Sequence, residues 1–510
     1  TDRPLMFSEW LHLPMGNHAE QDADPGIYDY FAVWAQAHMD YTQYNDHVLG
    51  GALFTGTPVT AIHEWIPRAG LYDMQRRVND AHYHTMKAMS PVRLTTEGLP
   101  ENPGLGVARF DVEHRGSFGN LDQYTFRYQQ GSLRGEVSAT SAGPGEVGTL
   151  EITTMGELVE PLDIDVVAPD GRVIDRYRFE SSNGGVAQTR KLERFAGDTP
   201  LELDRTPEAY RVVGDGFSWT IDRETGLVRE GVVGETVVVE GGPMPSLTNS
   251  AWIKNHRNGL GAAVQEQLRG WSAESVKASP DGDGVTVRVA GAFERAAVKM
   301  RYRFTADGGM TVGYEVKWED SLPIDVFDAG LKIALPEAME VLTWEREAFW
   351  SIYPDNHIGR PSGRTLATGD PRWAEARASW TEPEPHTEAG EPRPWPWSQD
   401  IVFEGVTRDF RSTKSNVRRA TLTADDGGPG LAVLSDGKSQ HLRIDPADGS
   451  YWMHVNPFWC GGAEFHQAKS IRGPVMVTEP GLVLKDQVEW VLLPGRQPGD
   501  TSVSQVSPRD

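Results

Sequence analysis

The spacing of apolar residues divides the chain into a helical stretch and a much longer alternating one. Leu5 to Ser8 reads as a short buried strand, with Glu9 where that strand ends. A loop rich in His, Asp and Pro follows, and then Ile27, Tyr30, Phe31, Trp34 and His38 recur at the spacing of one helix face. Val48 to Phe54 reads as a second buried strand, closing at Thr55-Gly56. A further helix runs from about Asp73 to Met89 and stops at Ser90-Pro91, because the residue before a proline is pushed out of helical space. Strand, helix, strand, helix is the order of the last two units of a parallel α/β barrel, whose strand C-termini open onto the active site. A glutamate at such an end, followed by Trp10 and His12, is a candidate for chemistry. An ordinary salt-bridged glutamate fits the position as well.

From Pro91 the period becomes two. Ala108 to Glu113 and Tyr124 to Tyr128 alternate between glycine-rich turns, and Pro161 to Phe179 ends in a hairpin around Asp170-Gly171. Residues 91–182 read as a small β-sandwich of immunoglobulin-like size, followed by a linker at Ser181 to Gly185. From about Tyr210 to Pro494 nearly every segment has strand character, as in Phe217 to Asp222, Val298 to Phe304 and Val488 to Leu493. With no short repeat, this predicts one large two-sheet sandwich rather than a propeller. Trp380 to Trp397, rich in Pro, Glu and Trp, reads as a surface loop.

Composition narrows the chemistry. A chain of 510 residues with 38% hydrophobic content has room for several cores, and its longest apolar runs are strand-length, so no membrane span is expected. The single cysteine, Cys460, excludes intrachain disulfides and cysteine metal clusters and leaves the compartment open. The first residues lack the basic-then-apolar pattern of a signal peptide. With 73 acidic against 49 basic residues the formal charge is −24, which argues against a nucleic-acid or anionic-membrane partner and suits a neutral substrate. Several of the sixteen tryptophans stand in loop-like contexts, such as Trp395-Pro396-Trp397, Tyr451-Trp452 and Phe458-Trp459. Indole faces pack on the C–H faces of sugar rings, although any one of these residues is equally explained as core.

Five segments carry a resemblance. Ser8-Glu9-Trp10-Leu11-His12-Leu13-Pro14-Met15-Gly16-Asn17 resembles the nucleophile motif of the glycoside hydrolase family 2 β-galactosidases, Ser/Cys-Glu-Tyr-Ala-His-Ala-Met-Gly-Asn. Gly50-Gly51-Ala52-Leu53-Phe54 resembles that family's Gly-Gly-Phe-aliphatic-Trp strand, in the same order and spacing. Asn120-Leu121-Asp122 is similar to a turn of its second immunoglobulin-like domain, and Phe217 to Leu227 to the opening hairpin of its C-terminal supersandwich. Trp344 to Asp355 is similar to a segment of that supersandwich ending Asn-Tyr-Pro-Asp.

The resemblance implies a mostly β, multidomain chain entering at the seventh strand of a TIM barrel. Residues 1–90 would be the C-terminal part of that (β/α)8 barrel, 91–182 an immunoglobulin-like β-sandwich, 183–209 a linker and 210–510 a galactose-mutarotase-like supersandwich. It implies retaining hydrolysis of a terminal β-linked hexose, such as a β-D-galactoside, which needs two carboxylates about 5–5.5 Å apart. Glu9 matches the nucleophile, and His12 the histidine that hydrogen-bonds sugar hydroxyls. Trp10 and Phe54 stand at the sugar-facing positions, and a sandwich aromatic lines the active-site rim: Trp452, preferred over Trp459 or the Trp395 and Trp397 pair. The family's acid/base glutamate and most of its Mg2+ ligands fall outside this chain, so residues 1–510 alone are expected to be inactive. The implied partners are an oligo- or polysaccharide, the N-terminal part or a partner subunit of the same enzyme, and a further copy in a homo-oligomer.

Three departures bear on specificity. Leu13-Pro14 inserts a residue before Met-Gly-Asn, Phe54-Thr55 replaces Trp-Asp, and Trp10 replaces Tyr. Each keeps the reaction type and puts galactose preference in doubt. Two other readings remain: a non-catalytic carbohydrate-binding or assembly subunit, and a polysaccharide lyase, which would need a Tyr and a His/Asn set within the sandwich.

Overall fold

The structure is a computed structural model, and it describes residues 3–10, 26–53, 71, 80–96, 105–155, 161–179, 192–249, 265–350, 359–367, 410, 412–424, 427–447, 449–461 and 476–495. Strands β1 (Leu5–Trp10) and β2 (Val48–Leu53) pair in parallel, with Leu5 opposite Val48, Phe7 opposite Gly51 and Trp10 opposite Leu53. Parallel strands need a crossover, and helix α1 (Gly26–Gln43) supplies it. Helix α2 (Asp80–Ala88) packs on α1, and a small cluster of Ala35 and Ala88 with Phe7, Met39 and Leu71 joins both helices to β1. Glu9 lies inside β1 rather than beyond it, one residue before its end. Among the described residues this sheet has two strands, and they do not by themselves make a barrel.

Seven antiparallel strands follow: β3 (Val92–Thr95), β4 (Leu105–His114), β5 (Thr125–Gln130), β6 (Leu133–Val137), β7 (Val147–Met155), β8 (Leu162–Val167) and β9 (Val173–Phe179). One sheet has the order β3-β4-β7 and the other β6-β5-β8-β9. The period-two pattern is the cause of the packing. In β7, Gly148, Leu150, Ile152 and Thr154 are buried while the residues between them are exposed, and Leu150 and Ile152 meet Phe110, Phe126 and Ile164 in one core. The turn from β8 to β9 closes at Gly171, whose φ of 86° is the left-handed conformation that glycine tolerates.

The described residues between 202 and 493 build the large sandwich. Its first sheet runs Glu202–Arg205, Ala209–Gly214, Phe217–Asp222, Val228–Val233, β10 (Gly241–Asn249), β11 (Val326–Pro336), and then a closing hairpin. That hairpin consists of β13 (His441–Ala447) and β14 (Ser450–Trp459), with β14 paired to β11 and β13 at the edge. The second sheet runs Ser272–Asp281, Gly284–Phe293, Ala296–Phe304, Gly309–Trp318, Val483–Leu493, Gly430–Leu434, Val417–Thr423, β12 (Val341–Arg346) and Ser362–Leu366. Between the sheets lies one continuous core in which Trp219, Trp318, Trp344 and Trp490 are fully buried. Those four indoles are filler rather than ligand platforms. The linker expected over 183–209 ends early, because Glu202–Arg205 already pairs with Ala209–Gly214 as the sheet's first strand.

Candidate functional site

Of the residues picked out from the sequence, Glu9 and Trp10 lie on β1, with Trp10 opposite Leu53. Their side chains, and all of His12 and Phe54, fall outside the described residues, as do Trp395 and Trp397. Trp452 is described, half-buried on β14. Trp459 is buried against Phe327, which removes it as a rim platform for sugar.

A group of polar side chains that sequence reasoning passed over lies on the sheet face turned away from the sandwich core. Leu331, Ile333, Leu442, Ile444, Met453 and Val455 point into the core, so their neighbours in sequence point outward. Asp328, Arg443, His454 and Asn456 are nevertheless buried. Arg443 crosses β14 to hold Asp328 Oδ2 through Nε at 3.1 Å and Nη2 at 2.8 Å, and its Nη1 donates to Asp445 Oδ2. The Thr248 hydroxyl donates to the other oxygen of Asp328. Asp445 also faces His454 Nε2 at 3.2 Å. Asn456 lies across Gly330, where a Cβ would come within 2.6 Å of Asn456 Oδ1. Buried charges are tolerable only when paired and hydrogen-bonded, and here one chain of contacts joins four strands.

Farther along the same face, Lys332 Nζ donates to Glu266 Oε2 at 2.8 Å and stands 5.2 Å from the centre of the Trp452 ring. Glu266 also accepts the Ser246 hydroxyl at 2.7 Å and the Leu268 amide at 3.0 Å. Burial alone would raise the Glu266 carboxyl; Lys332 and these donors more than offset it and hold the group below its ordinary range. The arrangement can present an aromatic face flanked by a fixed cation and a carboxylate.

The opposite end of the face meets α1. The His441 ring packs on Trp459 with centroids 5.7 Å apart, and Tyr30 of α1 stands edge-on to Trp459 at 5.7 Å. His441 remains partly exposed, yet burial drives its pKa from 6.5 down to about 4; Asp328 pulls it upward and Arg346 pushes it further down. Arg346 Nη2 in turn donates to Asp29 Oδ2 at 2.8 Å.

The signal for this face was present in Ser450–Trp459, where Tyr451, Met453 and Val455 alternate with Trp452, His454 and Asn456. Polar residues at every second position of a strand buried on both faces mark a polar layer. Among the described residues no group of three or more His, Cys, Asp or Glu could hold a metal ion, so the Mg2+ implied by the resemblance finds no ligand set there. No helix among them is long and apolar enough to cross a membrane.

No protein-family model matches the chain, and no curated protein matches it in sequence. Among solved structures it is similar to a galactose 1-epimerase from Lactobacillus acidophilus NCFM, at 11% identity over 58% of this chain and 100% of that one, with a TM-score of 0.28. A galactose mutarotase related enzyme from Lactobacillus acidophilus is similar at 8% identity over 57% and 97%, with a TM-score of 0.23. A protein in glycosyl hydrolase family 38 from Enterococcus faecalis is similar at 8% identity over 95% of this chain and 57% of that one, with a TM-score of 0.30. At these TM-scores the similarity assigns neither activity nor fold family. What stands by itself is a mostly β chain of two sandwiches beside a parallel β1-α1-β2 unit.

Proposed function

We propose that this chain is the C-terminal part of a retaining β-glycosidase resembling the family 2 β-galactosidases, with Glu9 as its nucleophile. The observation that carries the reading is the parallel pairing of β1 and β2 through α1, with Glu9 one residue before the end of β1. That is the position at which a barrel strand delivers a catalytic side chain. Supporting it are the two antiparallel sheets of three and four strands over residues 92–179, the size and layering of an immunoglobulin-like sandwich, and the supersandwich-sized pair of sheets behind it.

In this reading the ionised Glu9 attacks the anomeric carbon while a carboxylic acid from elsewhere in the complete enzyme protonates the departing glycosidic oxygen. A glycosyl ester on Glu9 forms, and water activated by the second carboxylate then hydrolyses it. His12, Trp10 and Phe54 border the reacting sugar, and Trp452, at the end of the face away from α1, is the platform for the outer units of a longer glycan. The substrate is a neutral oligo- or polysaccharide with a terminal β-linked hexose.

A non-catalytic sugar-binding subunit is the second reading, favoured by the Trp452, Lys332 and Glu266 group, which needs no barrel. For the lyase reading, Tyr451 turns into the core and so does not join His454 and Asn456, which turn outward on the same strand.

The test is active-site labelling of the complete protein with dinitrophenyl 2-deoxy-2-fluoro-β-glycosides. Mass spectrometry is expected to find one sugar on the peptide containing Glu9, and Glu9→Gln to abolish both label and turnover. A label on another carboxylate, or full turnover by Glu9→Gln, would sink the proposal.

A further inference from the structure

Helix α1 is held at three places, each by a different unit. Its first turn carries Asp29, whose Oδ2 meets Arg346 Nη2 at 2.8 Å with both side chains closed to solvent. Arg346 is itself fixed within the large sandwich, donating from Nη1 to Ser415 Oγ at 2.9 Å and from Nε to the Arg360 carbonyl at 3.2 Å. Three segments of that sandwich therefore converge on the guanidinium that reaches α1. Tyr30, next along the helix, stands edge-on to Trp459 and to Phe349.

The other end of α1 is tied to the small sandwich. Asp40 accepts Arg93 Nη2 at 2.8 Å and Arg115 Nη2 at 3.0 Å. Gln43 and Arg115 exchange two hydrogen bonds, Nε to Oε1 at 2.8 Å and Nε2 to the Arg115 carbonyl at 3.2 Å. Between these ends β1 rests on the helix flank. Phe7 meets Tyr41 edge-on at 6.4 Å and packs with Ala35 and Met39, two positions before Glu9.

A helix clamped at both ends cannot slide or roll without breaking one clamp, and β1 moves with it. The Asp29 contact is an odd one on stability grounds alone. Both charges are desolvated, Asp29 Oδ1 finds no partner among the described residues, and a buried ion pair is often no more stabilising than an apolar pair of similar volume. What an arginine fork adds is a fixed angle and distance.

We infer that Arg346 is a positioning residue: through Asp29 it fixes α1, and through α1 it sets the place of β1 and Glu9. This rests on the reading of Glu9 as the nucleophile, for which a displacement of about 1 Å costs on the order of 100-fold in rate.

The experiment uses the complete enzyme with Arg346→Met, Arg346→Lys and the milder Asp29→Asn. It measures hydrogen exchange of peptides from residues 26–43 beside separate kcat and KM values. In Arg346→Met, exchange in α1 is expected to rise while the sandwich strands stay protected, and kcat to fall about 100-fold with KM within about threefold. Arg346→Lys, which keeps the charge and loses the fork, should recover part of kcat. Faster exchange in α1 with unchanged kcat would overturn the positioning role, and unchanged exchange would overturn the clamp. Should the unaltered enzyme take no label at Glu9, the glycosidase reading fails and the positioning role with it, and the exchange arm still decides whether the clamp exists.

Discussion

Arg443 and Asp328 stand 115 residues apart in the chain and join over the back of β14, with Nε and Nη2 both on one carboxylate oxygen and both side chains closed to water. Removing one member of such a pair leaves a buried charge without its partner, at a cost of about 3–5 kcal/mol, whereas replacing both with apolar groups is close to neutral. Asp328→Leu is therefore expected to lower the stability of the large sandwich by about 3 kcal/mol, and Asp328→Leu/Arg443→Met to recover most of it. Urea unfolding of the two variants checks this. Additive losses would mean that Asp445 and Thr248, not the ion pair, hold the face together.

His441 gives the same face a pH dependence. Its folded pKa of about 4 lies below the ordinary 6.5, so between those values the unfolded chain binds a proton that the folded chain does not. Stability therefore rises with pH across that window and is lost as pH falls from 6.5 through 4. Burial sets the depression, Asp328 opposes it and Arg346 adds to it, and Trp459 packs against the ring. The urea midpoint of the protein should drop between pH 7 and pH 5, and His441→Asn should shrink that drop. An equal drop in the variant would assign the effect to other groups.

The sequence was most legible where structure is local. Ile27, Tyr30 and Trp34 announced α1, and the alternation in Ala108 to Glu113 and Val298 to Phe304 announced strands, because side-chain period alone sets which face is buried. The Asp170-Gly171 turn followed from glycine's backbone freedom. What stayed hidden depends on pairing across long stretches of chain. Nothing near Asp328 points to Arg443, and nothing near Asp29 points to Arg346, so neither buried pair could be drawn from spacing. Trp459 misled for a related reason. Its loop-like neighbours suggested exposure, while its actual neighbours, Phe327 and Tyr30, come from distant segments. The early start of the large sandwich at Glu202 was missed because that strand is short and largely exposed, with Leu203 its one apolar residue on the core.

Gly461 lies against Tyr30 in the contact between α1 and the sandwich. A Cβ there would lie 2.6 Å from the Tyr30 ring, and its φ of 71° is already unfavourable for any residue with a side chain. Gly461→Ala is expected to cost about 1–3 kcal/mol and to push Tyr30 off Trp459. Faster hydrogen exchange in residues 26–43, with the small sandwich unaffected, would be the signature. Unchanged exchange in α1 would show that Tyr30 turns aside at no cost.

Trp452 tests the outer end of the proposed site, away from α1. Lys332 covers part of the indole by a cation–π contact, and Glu266 holds Lys332 there, so the ring is presented in one orientation. An aromatic face so fixed contributes about 1–1.5 kcal/mol to a stacked sugar, which corresponds to about tenfold in affinity. In the glycosidase proposed above, Trp452→Ala should raise KM for a longer β-linked oligosaccharide about tenfold and leave KM for a simple aryl glycoside nearly unchanged, because the aryl group needs no sugar platform. Lys332→Met should give a smaller shift in the same direction by freeing the ring to rotate. Equal effects on both substrates would place Trp452 beside the reacting sugar instead, and no effect on either would leave it as a wall of the sandwich alone.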